Sequence, residues 1–159
     1  DKRMIWIGIA AALFAIDFFI KRRVESKLEP NAEPVEILDG KAVLTRVSNK
    51  GTAGGFFSDR TELIRLLSTA VYGCFLIRFL ILLFKKGRGM LKFSCALVAG
   101  GGLSNLYDRW VNGSVTDYFS FRPEKLKKLG NLVFNLGDMF LLAGTVLTFF
   151  IDLFSKKNK

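Results

Sequence analysis

Apolar and polar residues follow one another along this chain in long blocks rather than in short alternations. Four apolar blocks have the length and composition of membrane-spanning helices, and they cover about residues 4–20, 63–84, 91–107 and 132–154. The polar stretch at about 30–60 contains β-branched residues on both sides of Asp39-Gly40, a pattern typical of a β-hairpin. We therefore predict an α-helical integral membrane protein with four transmembrane helices and a small extracytoplasmic β-platform between helices 1 and 2.

Length and charge refine this prediction. The 159 residues are predicted to form a single membrane-embedded domain, because no repeat or linker divides them. The formal charge of +10 could indicate nucleic-acid binding, but much of the basic charge flanks the apolar blocks. There Lys and Arg set topology and meet membrane lipid, so we expect no nucleic-acid partner. Short basic clusters at both termini and at 85–92 fall on one side, which the positive-inside rule makes cytoplasmic.

Residue types that are absent or rare in this chain exclude several kinds of catalytic and metal site. The chain has no histidine, which excludes His-dependent triads, HExxH zinc sites and imidazole acid–base catalysis. Its two cysteines, Cys74 and Cys95, lie within apolar segments and are interpreted as small buried hydrophobic residues. We predict neither a metal site nor a cofactor.

Polar residues collect near the outer ends of the predicted spans. Spacings of three and four place each set on one helix face, and ionisable groups at such positions indicate a functional site. The residues are Asp17, Asn105, Asp108, Arg109, Asp117, Asn135 and Asp138. The run Gly100–Gly102 gives the third span a smooth face on which a neighbouring helix can pack closely.

Asp117 and Asp138 are interpreted as a catalytic pair. Two carboxylic acids held a few ångströms apart in a medium of low polarity cannot both ionise, so they share a proton. The ionised member can then take a proton from water while its partner protonates the carbonyl of a peptide. This chemistry hydrolyses a peptide bond without histidine, metal or a nucleophilic serine.

Five short motifs follow one another in the chain, each at its expected helix end. They are D-x-x-x-K (Asp17, Lys21), N-x-G-x-A (Asn49, Gly51, Ala53), G-G-x-x-x-N-L-x-D-R (Gly100 to Arg109), G-x-V-x-D (Gly113, Val115, Asp117) and F-N-L-x-D (Phe134, Asn135, Leu136, Asp138). With these five motifs in this order, the chain resembles the lipoprotein signal peptidase family. These type II signal peptidases are aspartyl proteases of the bacterial cytoplasmic membrane. The resemblance implies removal of the signal peptide from diacylglyceryl-modified prolipoproteins, with cleavage immediately before the lipidated cysteine.

The resemblance also implies roles for individual residues. Asp117 and Asp138 match the catalytic dyad, on the extracytoplasmic side of the membrane. The other matching residues fall into three groups: Asn105, Arg109 and Asn135 line the site, Asn49 and Gly51 join the platform to it, and Asp17 with Lys21 form a structural or orienting pair. The chain departs from the family pattern at Ser104, where glycine is common, at Gly137, where alanine is usual, and at Gly54-Gly55 before Phe56-Phe57.

Other readings of the same residues remain open. The acidic residues could form an ion relay in a small transporter subunit, or structural pairs in a membrane scaffold. A serine–lysine peptidase would need Ser48 or Ser58 as nucleophile, with no lysine convincingly placed to activate either. Asp108 and Arg109 could simply pair with each other at the interface. We expect the protein to be a monomer.

Overall fold

Four helices and a three-stranded sheet make up the computed structural model, which describes residues 2–52, 55–122 and 132–156. The elements in chain order are α1 (Lys2–Lys27), β1 (Val35–Ile37), β2 (Ala42–Asn49), α2 (Thr61–Leu83), α3 (Gly89–Val111), β3 (Val115–Phe121) and α4 (Leu136–Lys156). A short 3-10 helix, Ser58–Arg60, precedes α2. The chain is therefore mostly helical, as predicted.

Within the described ranges, three helices are long and apolar enough to cross a membrane: Lys2–Lys27, Ser58–Leu83 and Leu136–Ser155. The first is longer than the predicted 4–20. Its polar end stays helical because Lys21 forms an ion pair with Asp17 one turn earlier. The predicted spans 63–84 and 91–107 correspond to α2 and α3, and α3 is the most extensively buried helix of the bundle.

Consecutive glycines make α3 the centre of the bundle. A side chain at Gly100 would collide with the carbonyl oxygen of Ala10 in α1, and one at Gly101 with the carbonyl oxygen of Gly137 in α4. A side chain at Gly102 would meet the ring of Tyr72 in α2. The predicted close packing at these glycines is confirmed, but the expectation that they form one face was wrong. Successive helical residues point about 100° apart, so the three glycines face three different helices.

The sheet confirms the predicted hairpin and adds a strand that was not predicted. β1 and β2 pair antiparallel across the turn at Asp39-Gly40, where both residues have positive φ. β3 pairs antiparallel with the other edge of β2, although it lies between α3 and α4 in the chain. The platform therefore does not come only from the segment between the first two helices. The partner of β3 is remote in sequence, so no local hairpin signal could reveal it.

The return of the chain into α4 extends the same sheet. Phe134 exchanges backbone hydrogen bonds with Phe119 of β3, at 2.8 and 2.9 Å. Helix α4 begins only at Leu136, so the prediction that it starts at 132 was wrong: the pairing with β3 holds Phe134 in an isolated β-bridge. Ala53 and Gly54, which the sequence singled out, lie outside the described residues.

Candidate active site

The sheet presents Asp117 to the bundle. Asp117 lies opposite Val47 in the β2–β3 register, and it is almost completely buried. Both of its carboxylate oxygens accept hydrogen bonds from side-chain amides: Asn49 Nδ2 donates to Oδ2 at 2.9 Å, and Asn135 Nδ2 donates to Oδ1 at 2.7 Å. The carboxylate is therefore fixed from the strand beside it and from the start of α4.

The start of α4 fixes the second aspartate. Asn135 caps the helix, because its Oδ1 accepts the backbone N–H of Asp138 at 2.8 Å. In return, Oδ2 of Asp138 accepts the backbone N–H of Asn135 at 3.3 Å, which completes a reciprocal capping box. Asn105 of α3 donates its Nδ2 to Oδ1 of Asp138 at 2.7 Å. Asn135 thus contacts both aspartates through one side chain.

The environment of Asp117 changes its acidity. Burial and the nearby carboxylate of Asp138 raise the pKa of Asp117 from its ordinary value to about 7, against the opposing effect of the amide donors Asn49 and Asn135 and of the Lys21 charge. A carboxyl group with this pKa can hold a proton near neutral pH while remaining able to release it.

Asn49 also shapes the turn that follows β2. Its Oδ1 accepts the backbone N–H of Gly51 at 2.9 Å, and the carbonyl oxygen of Gly51 accepts a hydrogen bond from Arg109 Nη2 at 2.8 Å. A Cβ at position 51 would lie 2.1 Å from the carbonyl oxygen of Phe56, so only glycine fits here. Arg109 therefore connects the end of α3 to the platform through a backbone carbonyl.

Behind Asp138 lies a fully buried cluster centred on Lys21. Its Nζ contacts the carboxylates of Asp17 at 2.9 Å and Asp108 at 3.2 Å. It also donates to Ser104 Oγ at 3.1 Å and to Asn105 Oδ1 at 2.8 Å. Because Lys21 holds the amide oxygen of Asn105, the amide nitrogen of that residue points to Asp138. A buried ammonium group thus orients a direct contact of the second aspartate.

Tyr118 is a buried member of this cluster that the sequence did not indicate. Its hydroxyl donates to Asp17 Oδ1 at 2.9 Å and accepts the backbone N–H of Leu136 at 3.0 Å. Burial and the Asp17 carboxylate raise the pKa of Tyr118, so the phenol stays protonated. The G-x-V-x-D motif ends at Asp117, one residue before Tyr118. The direction of the Tyr118 side chain follows from strand β3, which was not predicted.

Two of the departures from the family pattern meet in this cluster. Ser104 Oγ donates to Asp17 Oδ2 at 2.6 Å. A Cβ at Gly137 would lie 2.8 Å from the same oxygen and 3.0 Å from the carbonyl oxygen of Gly101. Ser104 thus donates a hydrogen bond to Asp17, and the lack of a side chain at Gly137 leaves room for the Asp17 carboxylate.

The interfacial pairing of Asp108 with Arg109 is not what the structure shows. Asp108 is completely buried and contacts Lys21 together with Arg22, whose Nη2 lies 2.6 Å from Asp108 Oδ1. It also accepts the backbone N–H of Thr116 at 3.2 Å. Asp108 therefore ties α3 to α1 and to the start of β3. The serine considered as a nucleophile, Ser48, shares a hydrogen bond with Ser114 at 2.6 Å.

The structure brings all the predicted site residues into one connected hydrogen-bond network.

Each aspartate borders a different cavity. Asp117 borders a cavity of about 390 Å³ on the platform side, together with Lys50, Ser58 and Val133. Asp138 borders a second cavity of about 270 Å³ between α2, α3 and α4. Its lining also includes Asn105, Arg109, Val71, Tyr72, Phe75, Val98, Leu106 and Leu141. The second cavity is therefore polar near Asp138 and apolar below it.

Two carboxylates joined through Asn135 at one end of an apolar helical bundle are typical of one class of protein, the membrane-embedded hydrolases that use acid–base chemistry. Comparisons with solved structures identify the fold. Two solved bacterial membrane enzymes, both determined by the in meso method, share the fold at 21% identity. One has a TM-score of 0.80, with 97% of this chain and 90% of that chain covered. The other has a TM-score of 0.72, with 93% and 91% covered.

The sequence comparisons identify the family. The family model for signal peptidase (SPase) II matches residues 9–154. Curated lipoprotein signal peptidases include one from Caldicellulosiruptor bescii, 32% identical over 98% of this chain and 99% of that protein. Another, from Pseudomonas aeruginosa, is 32% identical over 98% and 91%. The chain belongs to the signal peptidase II family of aspartic proteases, and it is a multi-pass membrane protein.

Proposed function

We propose that this protein removes the signal peptide from prolipoproteins, cutting immediately before a cysteine that carries diacylglyceryl, with Asp117 and Asp138 as the catalytic dyad. Its family and its curated relatives support the reaction. One contact supports the dyad: Asn135 donates to Asp117 through its side chain and caps α4 at Asp138. The Asn135 side chain therefore links the Asp117 carboxylate to the backbone of Asp138, and its backbone N–H donates to the Asp138 carboxylate.

In the proposed reaction the dyad begins with one shared proton. The ionised aspartate takes a proton from a water molecule, whose oxygen attacks the carbonyl carbon of the residue before the lipidated cysteine. The protonated aspartate gives its proton to the carbonyl oxygen, so a neutral gem-diol forms. The aspartate that took the proton from water then gives a proton to the amide nitrogen, while the other aspartate takes one from a gem-diol hydroxyl. The C–N bond breaks, which releases the amine of the cysteine and leaves a carboxyl group on the signal peptide. The dyad returns to its singly protonated state.

The supporting residues would hold this geometry during the reaction. Asn49 and Asn135 donate to Asp117, and Asn105 donates to Asp138, so neither carboxyl group can rotate freely. Arg109 anchors the Gly51 turn beside the dyad through the carbonyl of Gly51. Asp17 and Lys21 act indirectly, by fixing Asn105 and the start of α4. Such positioning of the reacting groups contributes a large share of enzymatic rate enhancement.

We assign the two cavities to two parts of the substrate. The cavity beneath Asp138 has apolar walls, including Val71, Phe75 and Leu141, and suits the hydrophobic segment of a signal peptide. The cavity beside Asp117 lies on the platform side, where Lys50 and Ser58 are present, and suits the polar residues after the cysteine. The dyad then lies where an apolar segment would give way to a polar one.

We further propose four membrane spans, with α3 as the span enclosed by the other helices. Both termini then lie on the cytoplasmic side of the bacterial inner membrane, and the platform and dyad face the extracytoplasmic side. The clusters of basic residues in the shortest loops support this orientation. The protein would act as a monomer of one domain, because both aspartates and all of their hydrogen-bond partners come from one chain.

The test is to replace Asp117 and Asp138 singly with Asn and to follow cleavage of a diacylglyceryl-modified precursor in lipid vesicles. Each substitution keeps the shape of the side chain but removes acid–base function, so the rate should fall at least about 10²–10⁴-fold. Asp59→Asn, an exposed carboxylate in the short 3-10 helix, serves as the matched control and should keep the parent rate. A fully active Asp117 or Asp138 variant would remove the mechanism.

The substrate assignment needs a separate measurement. The same precursor without its diacylglyceryl group should be cleaved much more slowly, because only the lipidated cysteine marks the cleavage position. Equal rates for the two precursors would refute this part of the proposal and leave the dyad unaffected.

A further inference from the structure

The end of the bundle remote from the aspartates contains a recess of about 480 Å³. It lies where the start of α1 meets the turn between α2 and α3. Asn105 is sixteen residues beyond Gly89, the start of α3, so the recess is about 24 Å along the helix axis from the dyad. The residues that line it are Lys2, Arg3, Leu83, Phe84, Lys85, Lys86, Gly87 and Lys92.

Positive charge dominates this recess. Of the eight described residues that line it, five are cationic and none is acidic. Helix α3 also begins here, and its start at Gly89 lies near the ring of Trp6 in α1. Helix α3 has no acidic residue in its first turn and no side-chain cap. The positive end of its helix dipole therefore adds to the field of the side chains.

The three lysines of the α2–α3 turn have no carboxylate partner among the residues that the structure describes. Only 7% of Lys92 is exposed, and its Nζ donates to the backbone carbonyl of Lys85 at 2.6 Å. Lys85, Lys86 and Lys92 take part in none of the ion pairs formed within the described ranges. At the other end of the bundle, the buried Lys21 contacts two carboxylates. Cations held this close repel one another unless an anion lies between them.

Apolar surface lies directly beside the charge. Arg3 stacks over the ring of Phe84 at 5.1 Å from its centroid, and 74% of Phe84 is exposed. Trp6, nearby on α1, is typical of the membrane–water interface. A free anion would use only the cationic groups, whereas a phospholipid would also cover the aromatic ring with its acyl chains.

We propose that this recess binds the phosphodiester headgroup of an anionic phospholipid, with Lys85, Lys86 and Lys92 around the phosphate and Phe84 against an acyl chain. The bound lipid places negative charge beside these three lysines, and it ties the start of α1 to the α2–α3 turn. The site is distinct from the dyad and does not rest on the proposed peptidase mechanism.

The test uses the full chain with Lys85→Gln and Lys86→Gln combined, and phosphatidylglycerol as the probe against phosphatidylcholine. Lipid retained by the detergent-solubilised protein is counted by native mass spectrometry over a lipid titration. The parent protein should prefer phosphatidylglycerol, and the double variant should bind it about 25-fold more weakly, since each surface lysine contributes about fivefold. Lys41→Gln with Lys50→Gln, on the platform, changes the net charge equally and should keep the parent affinity.

Three results would overturn the proposal: no preference of the parent for the anionic lipid, an equal loss in the platform control, or competition by millimolar inorganic phosphate that matches the lipid. Phe84→Ser offers an independent check, since it removes the acyl contact without touching the charge. It should weaken lipid retention while leaving prolipoprotein cleavage and helical circular dichroism at parent values. Unchanged lipid retention in Phe84→Ser would mean that the site recognises only a phosphate group.

Discussion

Helix α3 has two unlike sides. On one side α1 and α4 pack closely against it at Gly100 and Gly101, and the buried Lys21 cluster joins the three helices. On the other side α2 rests on α3, and a cavity of about 270 Å³ lies between α2, α3 and α4. The close-packed side fixes the start of α4 and Asn105, which determine where Asp138 lies. The open side leaves room for a substrate beside the same carboxylate.

This difference explains how the region around Asp138 can be held rigidly on one side of α3 and remain accessible to substrate on the other. The groups that need accurate positions are attached to the helices that cannot separate, because a buried charge cluster and backbone-to-backbone contacts join them. Helix α2 is attached to α3 mainly through side chains such as Tyr72, whose hydroxyl donates to the Ala99 carbonyl at 3.0 Å. Substitutions on the two sides should therefore have different consequences.

The largest effect is expected at Lys21. Lys21→Met removes the ammonium group and leaves the buried carboxylates of Asp17 and Asp108 without it, which should cost about 3–5 kcal/mol of unfolding free energy. Equilibrium unfolding in mixed micelles measures this loss. The same substitution at the exposed Lys27, in the last turn of the same helix, should change stability by less than about 0.5 kcal/mol. Similar losses in both variants would show that the cluster is not what holds the close-packed side together.

A pair of glycine substitutions compares a close contact of α3 with an open position on α2. Gly101→Ala places a methyl group 2.5 Å from the carbonyl oxygen of Gly137, so it should push α4 from α3 and cost about 1–3 kcal/mol. Gly73→Ala, in α2, meets no atom within 4 Å and should stabilise the protein by up to about 1 kcal/mol through helix propensity. Thermal unfolding midpoints should therefore move in opposite directions. A loss of stability in both variants would contradict the assignment of an open side.

The sequence predicted much of this arrangement, and what it missed has a physical reason. Apolar blocks revealed the helices, and the D-G turn revealed the β1–β2 hairpin, because both signals are local. Strand β3 and the Phe119–Phe134 pairing depend on partners that are remote in sequence. The contacts of Tyr118 and the burial of Asp108 depend on that strand, so neither could be derived from spacing along one helix.

A pH measurement examines Asp117, where the platform meets the bundle. Its pKa of about 7 lies above its ordinary value, so the folded state binds the proton more tightly and loses stability as pH rises from about 4 to 7. If the protonated form of Asp117 acts as the acid, kcat/KM should fall as pH rises through about 7. Asn49→Ala removes an N–H that favours the carboxylate, so this alkaline limb should move up by about one pH unit.

The matched control for the pH profile is Ser48→Ala, one residue earlier on the same strand. Ser48 bonds to Ser114 rather than to Asp117, so its removal should leave the alkaline limb at the parent position. A limb that moves equally in both variants would indicate a general disturbance of β2. A limb that moves down in Asn49→Ala would contradict the protonated form of Asp117 as the acid.

The smallest effect is expected at Tyr72, where α2 meets α3. Tyr72→Phe keeps the ring against Gly102 and removes only the hydrogen bond to the Ala99 carbonyl, so it should cost about 0.6 kcal/mol. Because Tyr72 borders the cavity but does not contact either aspartate, the change should appear in KM for the lipidated precursor and leave kcat at its parent value. Trp110→Phe removes a similar hydrogen bond between α3 and α2, from Trp110 to Thr69 at an exposed site, and should alter neither constant. A fall in kcat for Tyr72→Phe would mean that α2 helps to position the dyad, and the separation of the bundle into a rigid side and an accessible side would then fail.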